Sequence, residues 1–308
     1  MLILKDHTAG NPQKEEVLWT DLSCTEIRGK LRDQGILVGC RIIKKLLYKH
    51  HFKRRKIQRR RTIKQVANRN EQFEKIAKLR QEYMQSENPI LSIDAKKREL
   101  VGQFYRAGEV YSKEEITALD HDFPHLATGI AIPHGIFDLK KNTAHINIGT
   151  SHETSEFACD SLKKWWMEKG RVDYPCATSI LMLMDGGGSN SSRRYVFKEG
   201  LQNLANEIGI EIRVAHYPPY TSKWNPIEHR VFPHITRAMQ GVILNNHEII
   251  KALIEKTKTK TGLCVSVSVI DKIYDLGKRA TKDFKKTIKI VFDDVLAQWN
   301  YRATPMAA

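Results

Sequence analysis

The chain has 308 residues, 41% of them hydrophobic and 28% charged, with a net charge of +16; this composition supports a packed core and excludes wholesale disorder. No apolar run reaches about 18 residues, which excludes an ordinary membrane-spanning helix. The first residues lack the apolar centre of a secretory signal, so the chain is expected in the cytoplasm.

Five scattered cysteines without a C-x-x-C pair exclude a zinc ribbon and a redox dithiol, and fit reduced thiols. The basic excess is uneven. Residues 1–88 hold 21 Lys and Arg against 10 Asp and Glu, whereas residues 89–308 hold 30 against 25. Such a balance predicts a polyanionic partner, and nucleic acid fits best.

In chain order, residues 1–20 read as a polar arm. Ile27 and Leu31 sit four apart in a predicted helix that Gly35 stops. A second helix follows from Cys40, with Ile42, Ile43, Leu46 and Leu47 as its apolar stripe. The pair suits a helix-turn-helix with Arg41, Lys44 and Lys45 facing DNA; an ordinary helical hairpin fits the same pattern. Residues 49–64 carry nine Lys or Arg in sixteen, Arg54, Arg55, Arg59, Arg60 and Arg61 among them. They read as a phosphate-tracking linker or as a solvated run. A polar helix over 68–85 closes this basic helical region at residue 88.

From residue 89 the pattern becomes α/β. Strands are predicted at 90–93, 130–139, 144–149, 180–184 and 210–216, with 99–105 as a hairpin partner of the first. Helices are predicted at 153–169, at 192–208 and from Pro226 onward. A mixed sheet sandwiched by helices over 89–302 follows. Trp165 and Trp166 read as packing residues. Pro124 interrupts the turn between His121 and His125, which argues against a zinc site there. Pro233, two turns into the last helix, predicts a kink close to Glu228.

Three acids stand where strands or turns hand over: Asp94 after the first strand, Asp185 after Ile180–Met184, and Glu228 in the first turn after Pro226. A carboxylate beside a greasy strand is costly unless it is paired or binds a cation. Any one of them alone also fits a cap or a turn. Together they suit two oxygen-liganded Mg²⁺ or Mn²⁺ ions acting on a phosphodiester. Asn190, Asn225 and His229 flank the acids and could orient a phosphate or a metal-bound water; Asn225 before Pro226 equally suits a helix N-cap. The glycines at 186–188 lack the G-K-[ST] ending of a nucleotide-binding P-loop.

Five blocks in order carry a family resemblance: residues 91–102 around Asp94, 149–158, 185–190, 217–229 around Glu228, and Trp299-Asn300-Tyr301. Together they resemble the ISAzo-type insertion-sequence transposases, mariner-like DDE enzymes of the RNase H-like superfamily. The resemblance implies an RNase H-like catalytic domain with Asp94, Asp185 and Glu228 as its DDE triad. It also implies metal-dependent hydrolysis at transposon ends and strand transfer into target DNA. Terminal repeats, target DNA, a homo-oligomer of at least two chains and a place at the nucleoid are the expected partners and setting. Relatives usually carry more chain before the helix-turn-helix, so a truncated or inactive derivative that only binds DNA is the alternative expectation.

Overall fold

The computed structural model describes residues 4, 8–11, 14–55, 66–119, 121, 123–286 and 289–306. The chain divides into two compact units, residues 1–63 and 64–308.

In the first unit, the segment expected to be an arm is a hairpin. Strands β1 (Thr8–Asn11) and β2 (Lys14–Thr20) pair antiparallel, with Thr8 opposite Thr20. The β-prone run Val17-Leu18-Trp19-Thr20 supplies the second strand. Helix α1 (Cys24–Asp33) opens on a capping box: the Ser23 hydroxyl accepts from the Glu26 N–H, and the Glu26 carboxylate accepts from the Ser23 N–H. Helix α2 (Cys40–Lys49) follows. Ile27 and Ile43 are buried together with Leu4 in a small core. Arg41, Lys44 and Lys45 are exposed on α2, and Arg54 and Arg55 are exposed beyond it. Arg59, Arg60 and Arg61 lie outside the described residues.

The second unit begins with α3 (Arg69–Met84). Expected to close the basic region at residue 88, this helix instead packs Ile76, Leu79 and Tyr83 against strand residues of the unit's sheet. The division into compact units lies ahead of this helix, between residues 63 and 64. After α3 come β3 (Ile90–Ala95), β4 (Glu99–Val101), β5 (Gly129–Asp138), β6 (Thr143–Gly149), α4 (Ser155–Trp165) and a π-helical turn at Trp166–Gly170. Next are α5 (Arg171–Asp173), β7 (Ser179–Asp185), α6 (Tyr195–Ile208), β8 (Glu211–Tyr217), α7 (Pro226–Arg230), α8 (Phe232–Ala238) and α9 (His247–Glu255). The unit closes with β9 (Cys264–Ile270), α10 (Lys282–Lys286), β10 (Val291–Phe292) and β11 (Asn300–Ala303).

The sheet runs β10-β11-β8-β7-β3-β5-β6-β9. Strands β3, β5 and β6 form an antiparallel meander; β7 adds parallel to β3, and β8 parallel to β7. An antiparallel meander extended by parallel strands that alternate with helices is the RNase H-like arrangement. β4 pairs with β5, not with β3 as expected. One sheet face buries Leu91, Ile93, Met182 and Met184 with α4 and α6, together with Trp165 at the end of α4 and Trp166 in the π-helical turn. The other buries Ile146 and Ile148 with Ile227, Phe232, Ile235 and Ile250. Among the described residues, no helix is long and apolar enough to cross a membrane.

Candidate active site

Adjacent parallel strands β3 and β7 pair Ile93 with Met184, so Asp94 and Asp185, one residue further on, stand side by side at the C-terminal ends of their strands. Apolar runs hold both strands in the core, and the C-terminal strand ends are where an open α/β sheet assembles its sites. The third acid arrives from α7, whose first turn presents Glu228. Ile227, Val231 and Phe232 anchor this segment in the core beneath β5.

The three carboxylates interact. Burial pushes the Asp94 carboxyl well above the usual range, helped by a side-chain hydrogen bond with Glu228 and by the charges of Asp185 and Glu228. Burial and then the charge of Glu228 raise Asp185 to about 6. Asp185 Oδ1 is buried without a hydrogen-bond partner. Clustered acids and an orphaned carboxylate oxygen fit a hard divalent cation with oxygen ligands. Among the described residues, no three His, Cys, Asp or Glu side chains form a closed metal-holding group; the acids meet through repulsion and one hydrogen bond.

The turn after Asp185 is clamped from three sides. His216, fully buried and pushed down to about 4 by that burial, hydrogen bonds through Nδ1 to the Asp185 carbonyl (3.1 Å) and through Nε2 to the Tyr301 hydroxyl (2.9 Å). The Ser189 hydroxyl donates to the Glu153 carboxylate at 3.0 Å, and the Ser155 hydroxyl donates to the Ser189 carbonyl at 2.7 Å. Lys198, its ammonium 4.8 Å from the Tyr301 ring centroid, donates to the Ser192 carbonyl. Gly188 has φ +61°, which favours glycine at that position.

The flanking residues take different places. Asn190 is buried in the turn, and its Oδ1 accepts weakly from Ser189 at 3.5 Å. His229 is exposed. Asn225 stands at the N-cap position of α7 but makes no side-chain cap bond. Its Nδ2 donates to the Ile93 carbonyl at 3.1 Å, and its Oδ1 accepts from the Ser92 hydroxyl at 2.5 Å. Ser92 was missed in the sequence; a lone hydroxyl residue inside the apolar run Ile90-Leu91-Ser92-Ile93 was the available signal.

Pro233 does not kink a continuous helix. The chain breaks at Val231 (φ −122°, ψ −60°), and Pro233 lies in the first turn of α8, where its missing N–H costs nothing. Glu228 therefore keeps its place beside Asp94.

Gly135 faces Asp94 across the β3–β5 ladder. A Cβ there would lie 2.6 Å from Ile227 Cδ1 and 2.9 Å from the Phe232 ring. Gly135→Ala is expected to push α7 outward and to destabilise the protein by about 1–3 kcal/mol. Thermal melting checks it; an unchanged melt would mean that α7 is not held tightly against β5. A groove of about 460 Å³ between α4 and α6, lined by Glu156, Asp160, Glu199 and Lys278 among others, contains none of the three acids.

Fold and acid cluster together define an RNase H-like domain carrying three convergent carboxylates. A family model described as "Rhodopirellula transposase DDE domain" matches residues 1–305. The chain belongs to this transposase family, in agreement with the resemblance carried by its sequence blocks. Among solved structures it is similar to a Mos1 transposase paired-end complex with left transposon end, at 13% identity over 80% of this chain and 72% of that one, with a TM-score of 0.46. It is also similar to the Mos1 mariner paired end complex with Mn, at 12% identity, the same coverage and a TM-score of 0.44. No curated protein sequence matches it.

Proposed function

We propose that this protein cuts and joins DNA with Asp94, Asp185 and Glu228 as the ligands of Mg²⁺ or Mn²⁺, two ions being the expected number. The observation that carries this reading is the meeting of three acids from three separate elements: burial and the neighbouring acids raise the pKa values of Asp94 and Asp185, and Asp185 Oδ1 is left unpartnered. When bound, the ions supply activation of a water or 3′ hydroxyl and stabilisation of the leaving oxygen.

The chain's own groups do the rest. Asp94 and Glu228 would hold the metal from β3 and α7, and Asp185 from β7. The clamped turn holds Asp185 in register with Asp94. Exposed Arg41, Lys44 and Lys45 on α2, with Arg54 and Arg55 beyond, suit phosphate contacts along a duplex. Family membership supports hydrolysis at transposon ends followed by strand transfer, with DNA ends held by at least two chains.

The test is nicking of supercoiled plasmid, which needs no knowledge of the terminal repeat. Nicking that requires Mn²⁺ and disappears in Asp185→Asn is the expected result. Nicking that survives the substitution would assign the cut to another site. DNA binding without nicking would favour a binding-only protein.

A further inference from the structure

We infer that Ser92 and Asn225 are positioning residues that hold the first and third acids within common reach of a metal. The inference rests on the metal reading proposed above.

The two side chains are fully buried and form a closed link between β3 and α7. The Ser92 hydroxyl donates to Asn225 Oδ1 at 2.5 Å and accepts from the Ile227 N–H at 2.9 Å. Asn225 Nδ2 donates to the Ile93 carbonyl at 3.1 Å, the peptide that leads into Asp94. The Glu228 N–H returns to the Asn225 carbonyl at 3.1 Å. Three of these four bonds join β3, within two residues of Asp94, to the segment Asn225–Ile227 that leads into Glu228, and the fourth ties Glu228 back to Asn225.

A serine inside an apolar strand is costly to bury unless it is paired; here its hydroxyl is used both as donor and as acceptor. Helix α7 has only five residues, too few to set its own position by helix formation. Its place depends on the tether and on its apolar anchors. Without the tether, the segment that bears Glu228 is left to the apolar contacts of Ile227, Val231 and Phe232 alone. Asp185 is held separately, through His216 on its backbone. Loss of the tether should thus loosen one side of the site and leave the other intact.

The readout is Mn²⁺ affinity of the DNA-free 308-residue chain by titration calorimetry, with circular dichroism as the check on folding. Ser92→Ala is expected to weaken Mn²⁺ binding about 10-fold or more, the usual cost of losing a group that orients a ligand. Ser92→Thr, which keeps the hydroxyl, is expected to restore it. Should Ser92→Ala fail to fold, Asn225→Ala carries the same expectation, because it leaves the Ser92–Ile227 bond in place. Wild-type affinity in a folded Ser92→Ala or Asn225→Ala protein, with binding lost in Asp185→Asn, overturns this inference alone. A wild-type protein that binds no Mn²⁺, or binds it as Asp185→Asn does, overturns the metal reading and the inference with it.

Discussion

Asp94→Asn, Asp185→Asn and Glu228→Gln are each expected to lower metal-dependent nicking about 100-fold or more, and pairs of them to do little further harm. The acids come from β3, β7 and α7 and act on one another, so removing one spoils the set. Effects that multiply across pairs would mean that the carboxylates work independently. Metal-free stability should move the other way. The folded-state pKa of Asp185 is raised from 3.8 to about 6 by burial and then by Glu228. A raised carboxyl favours the folded state at low pH, and this contribution fades as pH rises through about 4 to 6. At pH 7.5 without metal, Asp185 is ionised and strained. The shift nominally corresponds to about 3 kcal/mol, but the partly exposed carboxylate is screened, and about 1 kcal/mol is the fair expectation. Asp185→Asn should therefore melt about 2 °C above the parent at pH 7.5, with the gap closing by pH 4. Saturating Mn²⁺ should reverse the order, because only the parent is stabilised by binding. A metal-free melting point for Asp185→Asn at or below that of the parent would contradict the electrostatic account.

What could be read in the sequence depended on how local its cause was. Strands β3, β7 and β8 announce themselves as apolar runs, and the acids at 94 and 185 mark their ends. The helical pattern of α1, α2, α3 and α6 is likewise set by near neighbours. Pairing is not local: nothing within Glu99–Val101 says that it joins β5 and not β3. The break at Val231 shows the same limit. Proline spacing predicts a kink in one helix, whereas burial of Ile227, Val231 and Phe232 on the sheet divides the segment into two short ones. Asn225 looks like a cap by its neighbours, yet its side chain is used 133 residues away at Ser92. Strand β9 did carry a legible signal, the alternation of Val265, Val267 and Val269, while two-residue β10 and four-residue β11 are too short to show a period.

A chain beginning at residue 64 is expected to fold, and one beginning at residue 89 is not. The difference is α3. Ile76, Leu79 and Tyr83 are buried against Ile90, Leu181, Leu183, Ala215 and Tyr217, at roughly 1.5–3 kcal/mol for each apolar side chain. Their loss alone approaches the 5–15 kcal/mol, roughly, that keeps a domain folded. Polar losses add to it. Gln72 is fully buried, donates to the His216 carbonyl at 2.8 Å and accepts from Asn300 Nδ2 at 2.7 Å. The Tyr83 hydroxyl hydrogen bonds Ser179 at 2.6 Å, and Lys75 pairs with Asp293 at 2.8 Å. Without α3, the strands that present Asp94 and Asp185 would expose one apolar face, and His216, which holds the Asp185 carbonyl, would lose the partner of its own. Circular dichroism melts and limited proteolysis of the two fragments decide the matter. A cooperative melt for 89–308 equal to that of 64–308 would show that α3 is not needed for the sheet, and would return the boundary to residue 88. A cooperative melt for 64–308 alone makes α3 a structural part of the catalytic unit, and substitutions on its buried face should then reach the acids through β7 and β8.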